Sequence, residues 1–272
     1  MTGSKRLQFN RAVLSLSDRL NERSLKHSGA TDSVIPVIEY PKSGGTWIAK
    51  MIAAAIGLPY LDDVVGRIGR PCVIRTHWRP SPDYERAVYV VRDIRDIFIS
   101  LFHHRERNAK KNEVLAQRYF RLFGESISLE KFDSQFALFI EHEMTGWGGG
   151  VRTDWNIHMT EAHQYSTENP NVVLVKYEEA LLDTQSELCR VVNTVLDFEI
   201  SAERAGLVEE LFSARNQVSL SSHREKTFFR KGQSGEWRTT MPKDAGRLIA
   251  ENYNENLVKF GYESDQNWWR DL

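Results

Sequence analysis

The segment PKSGGTW, at residues 41–47, combines residue types that bind anions. It follows an apolar run typical of a strand and precedes a helical pattern, so its backbone N–H groups would gather at a helix N-terminus. Such groups bind phosphate with help from the helix dipole, and paired glycines let the backbone come close. Lys42 adds a point charge and Thr46 a hydroxyl, which favours an anion-binding turn over an ordinary one. The segment is not a Walker A loop, because its lysine precedes the glycines.

A second segment, VRDIRDIFIS at residues 91–100, places Arg92 at the end of an apolar strand and Ser100 eight residues later. A guanidinium fork paired with a hydroxyl suits a phosphate monoester, which carries close to two negative charges. Asp93 has two candidate roles, because an aspartate after an apolar strand can also hold Mg²⁺ in ATP-binding proteins. Since no Walker A loop accompanies it, N-capping of the next helix is the favoured role.

A third segment, RKGQSGEW at residues 230–237, begins with two adjacent cations followed by a glycine. Arg230, Lys231 and Gly232 would form a flexible loop that attracts phosphate. A solvated basic turn is the alternative, and it is the commoner one for so short a pattern.

The apolar pattern predicts the elements that position these segments. It indicates strands at residues 34–40, 72–76, 87–91 and 172–177. Helical patterns follow the first, third and last of these runs. Strands that alternate with helices indicate an α/β fold, with a central parallel sheet flanked by helices. Ligands of such sheets bind outside the carboxyl ends of the strands, where the candidate residues lie.

The chain length suits one domain spanning residues 1–272. Residues 1–33 are expected to form a charged leader. Residues 105–171 form a long excursion with helical pattern between the third and fourth predicted strands. Such excursions at the ligand end of a sheet are often lids or pocket walls, although a helical subdomain that pads the core is an equal alternative.

Charge and cysteine content exclude several classes of protein. The chain has 36 basic and 37 acidic side chains, whereas nucleic-acid binders usually carry a basic excess. Cys72 and Cys189 have no CxxC spacing, so neither a disulfide framework nor a metal site is expected. The N-terminus has no apolar signal region, and no apolar run is long enough to span a bilayer. We therefore expect a cytoplasmic protein without nucleic-acid or membrane partners.

Taken in order, the three segments resemble the nucleotide-binding signatures of the cytosolic-type sulfotransferase family. PKSGGTW is similar to PKSGTTW, VRDIRDIFIS keeps the Arg-to-Ser spacing, and RKGQSGEW is similar to RKGxxGDWK. The resemblance runs from about residue 34 to residue 237. It implies an α/β sulfotransferase fold in which a strand-loop-helix resembling a P-loop binds the donor. The donor would be 3′-phosphoadenosine 5′-phosphosulfate (PAPS), the product 3′-phosphoadenosine 5′-phosphate (PAP), and no metal would be needed.

The resemblance also implies a role for each matching residue. The turn would hold the 5′-phosphosulfate through Lys42, Ser43, Gly44, Gly45 and Thr46. The 3′-phosphate would be held by Arg92, Ser100, Arg230, Lys231 and Gly232. Trp47 and Tyr177 would contact the adenine, and Phe212 is a further candidate for that contact. Lys42 would also touch the bridging and sulfuryl oxygens, which makes it a catalytic candidate.

The segment RTHW, at residues 75–78, resembles the family's KTH segment and implies that His77 is the catalytic base. The acceptor must lose a proton as its oxygen or nitrogen attacks sulfur, and an imidazole that titrates near neutrality suits that task. The sulfuryl group would pass in line, while Lys42 and a helix N-terminus stabilise charge on the leaving oxygen.

Two residues depart from the family pattern. Gly45 stands where threonine is usual, and Arg75 stands where lysine is usual. A planar guanidinium fork differs from a point charge, so the role of Arg75 in donor binding is open. The family's dimer signature is not recognisable after residue 237, which leaves the oligomeric state open as well.

The acceptor is expected to be a partly apolar small molecule, because Trp78, Trp147 and Trp155 are candidates for its pocket. Phenol, alcohol, sugar, amine and peptide acceptors all stay open. Among other functions, a kinase would need the missing Walker A lysine, and a non-catalytic nucleotide-binding module would not explain His77. Sulfation followed by elimination, which gives a net dehydration, is not excluded.

Overall fold

The computed structural model describes residues 34–62, 71–145, 153–196, 199–213 and 234–272. The predicted leader, residues 1–33, therefore lies outside the described residues. The chain forms two compact units, and the first comprises Met1–Val91, Gly150–Thr153 and Ile157–Gly232. The second unit comprises Arg92–Gly149, Asp154–Asn156 and Gln233–Leu272. That residues 1–272 form one domain stays a prediction.

The first unit contains a five-stranded sheet in which every neighbouring pair is parallel. Its strands are β1 (Val34–Glu39), β2 (Tyr60–Asp62), β3 (Cys72–Thr76), β4 (Ala87–Val91) and β5 (Val172–Lys176). They lie in the order β2-β3-β1-β4-β5, with β1 at the centre. The predicted central parallel sheet is confirmed, but the three-residue strand β2 was not predicted. The predicted strand at residues 172–177 ends one residue early, because Tyr177 begins a helix.

Ten α-helices and two 3₁₀ helices accompany the sheet in the described part of the chain. The α-helices are α1 (Gly45–Ile56), α2 (Ile94–Ala109), α3 (Glu113–Phe123), α4 (Phe132–Thr145), α5 (Trp155–Glu168), α6 (Tyr177–Leu182), α7 (Thr184–Leu196), α8 (Ala202–Phe212), α9 (Trp237–Thr240) and α10 (Lys243–Lys259). The 3₁₀ helices are Leu129–Lys131 and Trp268–Asp271. The stretch 105–171 contains α3, α4 and α5, and its role as a lid or pocket wall stays a prediction. Of the helices described, none is long and apolar enough to cross a bilayer.

The core of the first unit forms where α1 and α7 cover the sheet. Ile48 and Ile52 of α1 lie in one buried cluster with Val37 of β1 and Val191 of α7. Strands β1 and β4 are buried along their whole length. This explains why both read as continuous apolar runs rather than as alternating ones, as is usual for parallel strands covered on both faces.

The second unit is helical and has an aromatic core. Phe102 of α2 lies edge-on to Phe136 and Phe139 of α4, with ring centroids 5.8 and 5.0 Å apart. Tyr119 of α3 donates a hydrogen bond of 2.7 Å to the buried carboxylate of Glu143. Aromatic pairs in this geometry stabilise a core beyond the area that they bury.

Asp93 caps helix α2, as the sequence predicted. Its side chain accepts a hydrogen bond of 2.9 Å from the backbone N–H of Arg95, and it also pairs with the guanidinium of that residue. A carboxylate bound in this way serves the helix rather than a magnesium ion.

Arg95 joins the start of α2 to the C-terminal segment within the second unit. It is fully buried, pairs with Asp93 and Glu263, and lies over the rings of Trp237 and Trp268 at 3.6 and 4.5 Å. A guanidinium stacks well on aromatic faces while its edges stay free for carboxylates. The tail residue Trp268 is therefore a packing residue of its own unit.

Candidate active site

The loop between β1 and α1 has an unusual backbone. Lys42 has a φ of 72°, and among the described residues it alone is a non-glycine residue with positive φ. Gly44, at the N-cap of α1, has a φ of 92°, and its carbonyl accepts bonds from the N–H groups of Trp47 and Ile48. A left-handed lysine costs roughly 1–2 kcal/mol, and such strain is concentrated at functional sites.

Two hydroxyls at this loop are buried and have no partner in the part of the chain that the structure describes. Ser43 Oγ and Thr46 Oγ1 have no hydrogen-bond partner among the described residues, although both are shielded from solvent. A buried polar group left unsatisfied costs about 1–3 kcal/mol, so native proteins rarely keep one without a purpose. Two hydroxyl donors beside a helix N-terminus are suited to an anion with several acceptor oxygens.

The rings of Tyr177, the first residue of α6, and Trp47, in the first turn of α1, lie beside the loop. The rings meet edge to face with centroids 5.8 Å apart, and Trp47 donates its indole N–H to the carbonyl of Phe212 at 3.2 Å. A Cβ atom at Gly44 would lie 2.4 Å from Cδ2 of Tyr177, which explains why glycine stands there. The three residues predicted for the adenine are thus brought together with the loop.

His77 follows β3 and contacts two other residues through its ring nitrogens. Its Nδ1 lies 3.2 Å from the carbonyl oxygen of Glu39, and its Nε2 lies 2.7 Å from a guanidinium nitrogen of Arg75. A carbonyl can only accept and a guanidinium can only donate. Nδ1 must therefore carry the proton and Nε2 the lone pair, which defines a single neutral tautomer.

The carboxylate of Glu39 binds Arg75 of β3 and the first residue of α1 in the first unit. It accepts a 3.1 Å bond from Arg75 and a 2.6 Å bond from the backbone N–H of Gly45, and both partners of the ion pair are buried. Removing one partner of such a pair costs about 3–5 kcal/mol. Sequence reasoning missed Glu39, although a lone carboxylate in an otherwise apolar strand was a usable signal, because charged residues are almost never fully buried unless paired.

His158 of α5 is a second histidine that sequence reasoning did not single out. It is 2% exposed, and its Nε2 has no hydrogen-bond partner among the described residues. Burial, together with a smaller repulsion from His77 when that ring is protonated, lowers the pKa of His158 to about 3. Its ring lies edge-on to Tyr40, with centroids 6.0 Å apart. The imidazole is therefore neutral at physiological pH.

The remaining predicted phosphate residues lie in the second unit or outside the described residues. Arg92 directly follows β4, and its guanidinium lies 3.8 Å from the carboxylate of Asp96. The backbone carbonyl of Arg92 accepts a 3.1 Å hydrogen bond from the indole N–H of Trp155. Ser100 lies on α2 and is partly exposed. The predicted phosphate ligands Arg230, Lys231 and Gly232, and the pocket candidate Trp147, lie outside the described residues.

Asp96 is a further residue of this region that was not predicted from the sequence. It accepts bonds of 2.7 and 3.3 Å from the backbone N–H groups of Gly235 and Trp237, which end the third segment. Burial raises the pKa of Asp96, while the nearby charge of Arg92 acts in the opposite direction. The second and third segments are thus attached to each other within the second unit.

Comparison with known proteins identifies the family to which the chain is similar. The profile of the sulfotransferase domain matches residues 71–261, well over half of the chain. Cytosolic sulfotransferase 12 of Arabidopsis thaliana is 26% identical over 286 residues, which cover 86% of this chain and 82% of that protein.

Two solved structures have the same fold. Mouse sulfotransferase SULT7A1, complexed with PAP, superposes with a TM-score of 0.63 at 20% identity and covers 86% of this chain and 88% of its own. Retinol dehydratase, in complex with androsterone and PAP, has a TM-score of 0.60 at 19% identity and covers 83% of this chain and 81% of its own. Together with the domain match, these similarities show that the chain belongs to the cytosolic-type sulfotransferase family and is a PAPS-dependent sulfotransferase.

Proposed function

We propose that this enzyme transfers the sulfuryl group of PAPS in line to a hydroxyl or amine of a partly apolar small molecule, with His77 as the general base. The observation that carries the proposal is the tautomer of His77. Its Nδ1–H is directed to the carbonyl of Glu39, so the lone pair that can take a proton lies on Nε2, where it accepts a hydrogen bond from Arg75. The same carbonyl lies at the end of β1, where the loop that carries Lys42 begins.

The donor assignment is supported by the chemistry of the loop. The unpartnered hydroxyls of Ser43 and Thr46 and the glycine backbone suit an anionic group. With Lys42, they would hold the 5′-phosphosulfate, while Trp47 and Tyr177 would contact the adenine. Both solved structures with this fold contain PAP, which supports the same donor here.

The 3′-phosphate would be held by Arg92 and Ser100 together with Arg230, Lys231 and Gly232. A guanidinium fork and a hydroxyl give directed donors to a phosphate monoester. This contact would separate PAP from ATP, which has no 3′-phosphate.

Bound PAPS supplies an activated sulfuryl group. His77 Nε2 would first exchange its hydrogen bond from Arg75 for one from the acceptor. As the acceptor oxygen or nitrogen forms its bond to sulfur, His77 Nε2 would then receive the acceptor's proton while the bond from sulfur to the bridging oxygen breaks. Lys42 and the N-terminus of α1 would stabilise the negative charge that grows on that leaving oxygen. Positioned proton transfer of this kind contributes about 10²–10⁴ in rate.

The nature of the acceptor is a further part of the proposal. Retinol dehydratase was crystallised with androsterone, a partly apolar molecule that carries a hydroxyl. We propose a partly apolar acceptor of that general kind, and alcohols, phenols, sugars, amines and peptides all stay candidates for it. Reaction with a panel of these acceptors and mass analysis of each product would identify the acceptor class, and would separate stable sulfation from sulfation followed by loss of the sulfate.

A thermal-shift titration with PAP, and separately with ATP plus Mg²⁺, tests the donor site. A ligand at about 100 times its Kd stabilises the folded protein by roughly 2.7 kcal/mol. We expect PAP alone to raise the Tm of wild type, Arg92→Ala to lose that rise, and Arg121→Ala, a change at an exposed position of α3, to keep it. Equal stabilisation by ATP with Mg²⁺ would contradict the donor assignment.

The variant His77→Ala tests the base. It should bind PAP as wild type does while the transfer rate falls by about 10²–10⁴. Loss of PAP binding together with transfer would mean that His77 is structural.

A further inference from the structure

Glu39, Gly45 and Arg75 form one contact set around His77. The two oxygens of the Glu39 carboxylate are used separately, one by the guanidinium of Arg75 at 3.1 Å and one by the N–H of Gly45 at 2.6 Å. The nitrogen of Arg75 that pairs with Glu39 is also the one that lies 2.7 Å from His77 Nε2. The carboxylate, the guanidinium and the imidazole are therefore linked in series.

Gly45 is required by the position of Glu39. A Cβ atom at residue 45 would lie 2.7 Å from Cδ of Glu39 and 2.9 Å from its Oε2. Distances this short do not occur in real structures, and the glutamate is held in place by two bonds. The glycine that replaces the family's usual threonine and the buried glutamate are thus two parts of one arrangement.

We propose that Glu39 is a positioning residue for sulfuryl transfer: its carboxylate holds Arg75 where the guanidinium fixes the reactive tautomer of His77, and Gly45 provides the space for it. The inference rests on the proposed role of His77 as the base. It assigns a role to the arginine that stands where the family usually has lysine. One terminal nitrogen of the guanidinium lies within bonding distance of both Glu39 and His77, and its donors are fixed in the plane of the guanidinium, whereas the donors of a lysine ammonium rotate.

The arrangement also sets the electrostatics at His77. Among the described residues, the charged or titratable groups that contact the ring or act on it include Arg75 from β3, Glu39 from β1 and the neutral His158 from α5. When Nε2 has released the N–H of Arg75 and taken the acceptor's proton, the new imidazolium would lie beside the guanidinium of Arg75. The carboxylate of Glu39 offsets that repulsion, because it lies within bonding distance of the same guanidinium.

Glu39→Gln is the first test, because it keeps the shape but removes the charge. We expect kcat to fall about tenfold, a part of what a general base contributes, with little change in the KM for PAPS. The acid limb of the pH–rate profile should move to lower pH, since the charge of Arg75 is no longer offset and disfavours the imidazolium. Arg75→Met should move that limb in the opposite direction. Glu161→Gln breaks another Arg–Glu pair of the same unit, with Arg79, and should change neither quantity.

NMR of the imidazole nitrogens of His77, assigned with His77→Ala, tests the positioning without using activity. Wild type should show a protonated Nδ1 and an unprotonated Nε2, and Glu39→Gln should show a mixture of tautomers. An unchanged spectrum together with an unchanged pH profile would overturn the inference. If His77→Ala instead retained transfer while the spectra behaved as expected, His77 would not be the base. The inference that Glu39 positions the ring would still hold.

A second pair of variants covers the case in which Glu39→Gln does not fold. Gly45→Ala should displace the carboxylate of Glu39 and lower kcat about as much as Glu39→Ala does. The double variant should have a kcat no lower than that of Glu39→Ala alone, because the effects of two residues that act through one contact are not additive. Additive losses in kcat would contradict the coupling.

Discussion

The carboxylate of Asp96 accepts a hydrogen bond of 2.7 Å from the backbone N–H of Gly235, across 139 positions of the sequence. The other oxygen of the same carboxylate accepts from the N–H of Trp237. Both donors lie at the end of the glycine-containing segment whose beginning is proposed to bind the 3′-phosphate. Asp96 thus anchors that segment through its backbone, independently of the side chains that the segment carries.

Asp96→Ala should weaken PAP binding and lower stability. The change removes the acceptor of two N–H groups, the buried one of Trp237 and the partly buried one of Gly235, and an unsatisfied buried N–H costs about 1–3 kcal/mol. Isothermal titration with PAP and urea unfolding measure the two effects. Asp96→Asn keeps one acceptor oxygen and should fall between wild type and alanine. Wild-type affinity in the alanine variant would show that the anchor has no part in the nucleotide site.

Gly44→Ala should disrupt the loop. The backbone at residue 44 is left-handed, and the added Cβ would lie 2.4 Å from the ring of Tyr177, so the change combines strain with a clash. We expect a loss of about 2 kcal/mol or more in the free energy of unfolding and no detectable PAP binding. The matched control is Gly206→Ala on α8, where the new Cβ meets only ordinary contacts with Gln185 and alanine is the better helix former. The control should be neutral or slightly stabilising, and equal behaviour of the two variants would contradict the argument.

Arg95→Met should destabilise the second unit strongly. The substitution leaves the carboxylates of Asp93 and Glu263 without their buried cation and removes the stacking on Trp237, at a cost of about 3–5 kcal/mol. Arg247→Met removes an exposed pair with Glu251 on α10 and should cost less than about 1 kcal/mol. Urea unfolding followed by tryptophan fluorescence compares the two. A cost below about 1 kcal/mol for Arg95→Met would mean that the buried pairs contribute little net stability.

His158 should make the protein lose stability as the pH falls below neutrality. The pKa of His158 is lowered by burial from 6.5 to about 3, so between these values the unfolded chain binds a proton that the folded chain does not. The free energy of unfolding should therefore decrease with falling pH, by at most about 1.4 kcal/mol per pH unit from this group.

Urea unfolding of wild type and His158→Gln between pH 6.5 and 5.0 isolates that effect, because most carboxylates titrate below this range. The variant should show a flatter slope. His163→Gln, a change at an exposed histidine of the same helix, should keep the wild-type slope. If the two variants give the same slope, then the buried imidazole is not the group responsible.

Local patterns predicted much of the fold and part of the site. The apolar runs gave the four longer strands, Asp93 was recognised as a helix cap, and the loop at residues 41–47 was placed between a strand and a helix. Each of these features depends on residues close together in the chain, so its signal is local. Strand β2 has only three residues, too few for a periodic pattern.

The partners of the site residues could not be predicted in the same way. Glu39 and Arg75 are 36 positions apart, and Asp96 and Gly235 are 139 apart. Nothing in either local sequence indicates its partner, because the contact exists only once the sheet or the helical unit has formed. Burial of His158 is equally a product of tertiary packing, since its helix reads as polar from the sequence.

The central place of β1 in the sheet has a consequence for biosynthesis. Strand β1 pairs with β3 on one edge and with β4 on the other, and both leave the ribosome after it. Parallel pairings of this kind join segments that are far apart in the sequence. The entropy of loop closure is therefore lost before the pairing can stabilise the chain. We therefore expect a nascent chain that ends before β4 is complete, at residue 91, to expose at least one edge of the apolar strand at residues 34–39. That apolar segment is the part of the chain for which early chaperone contact would matter most.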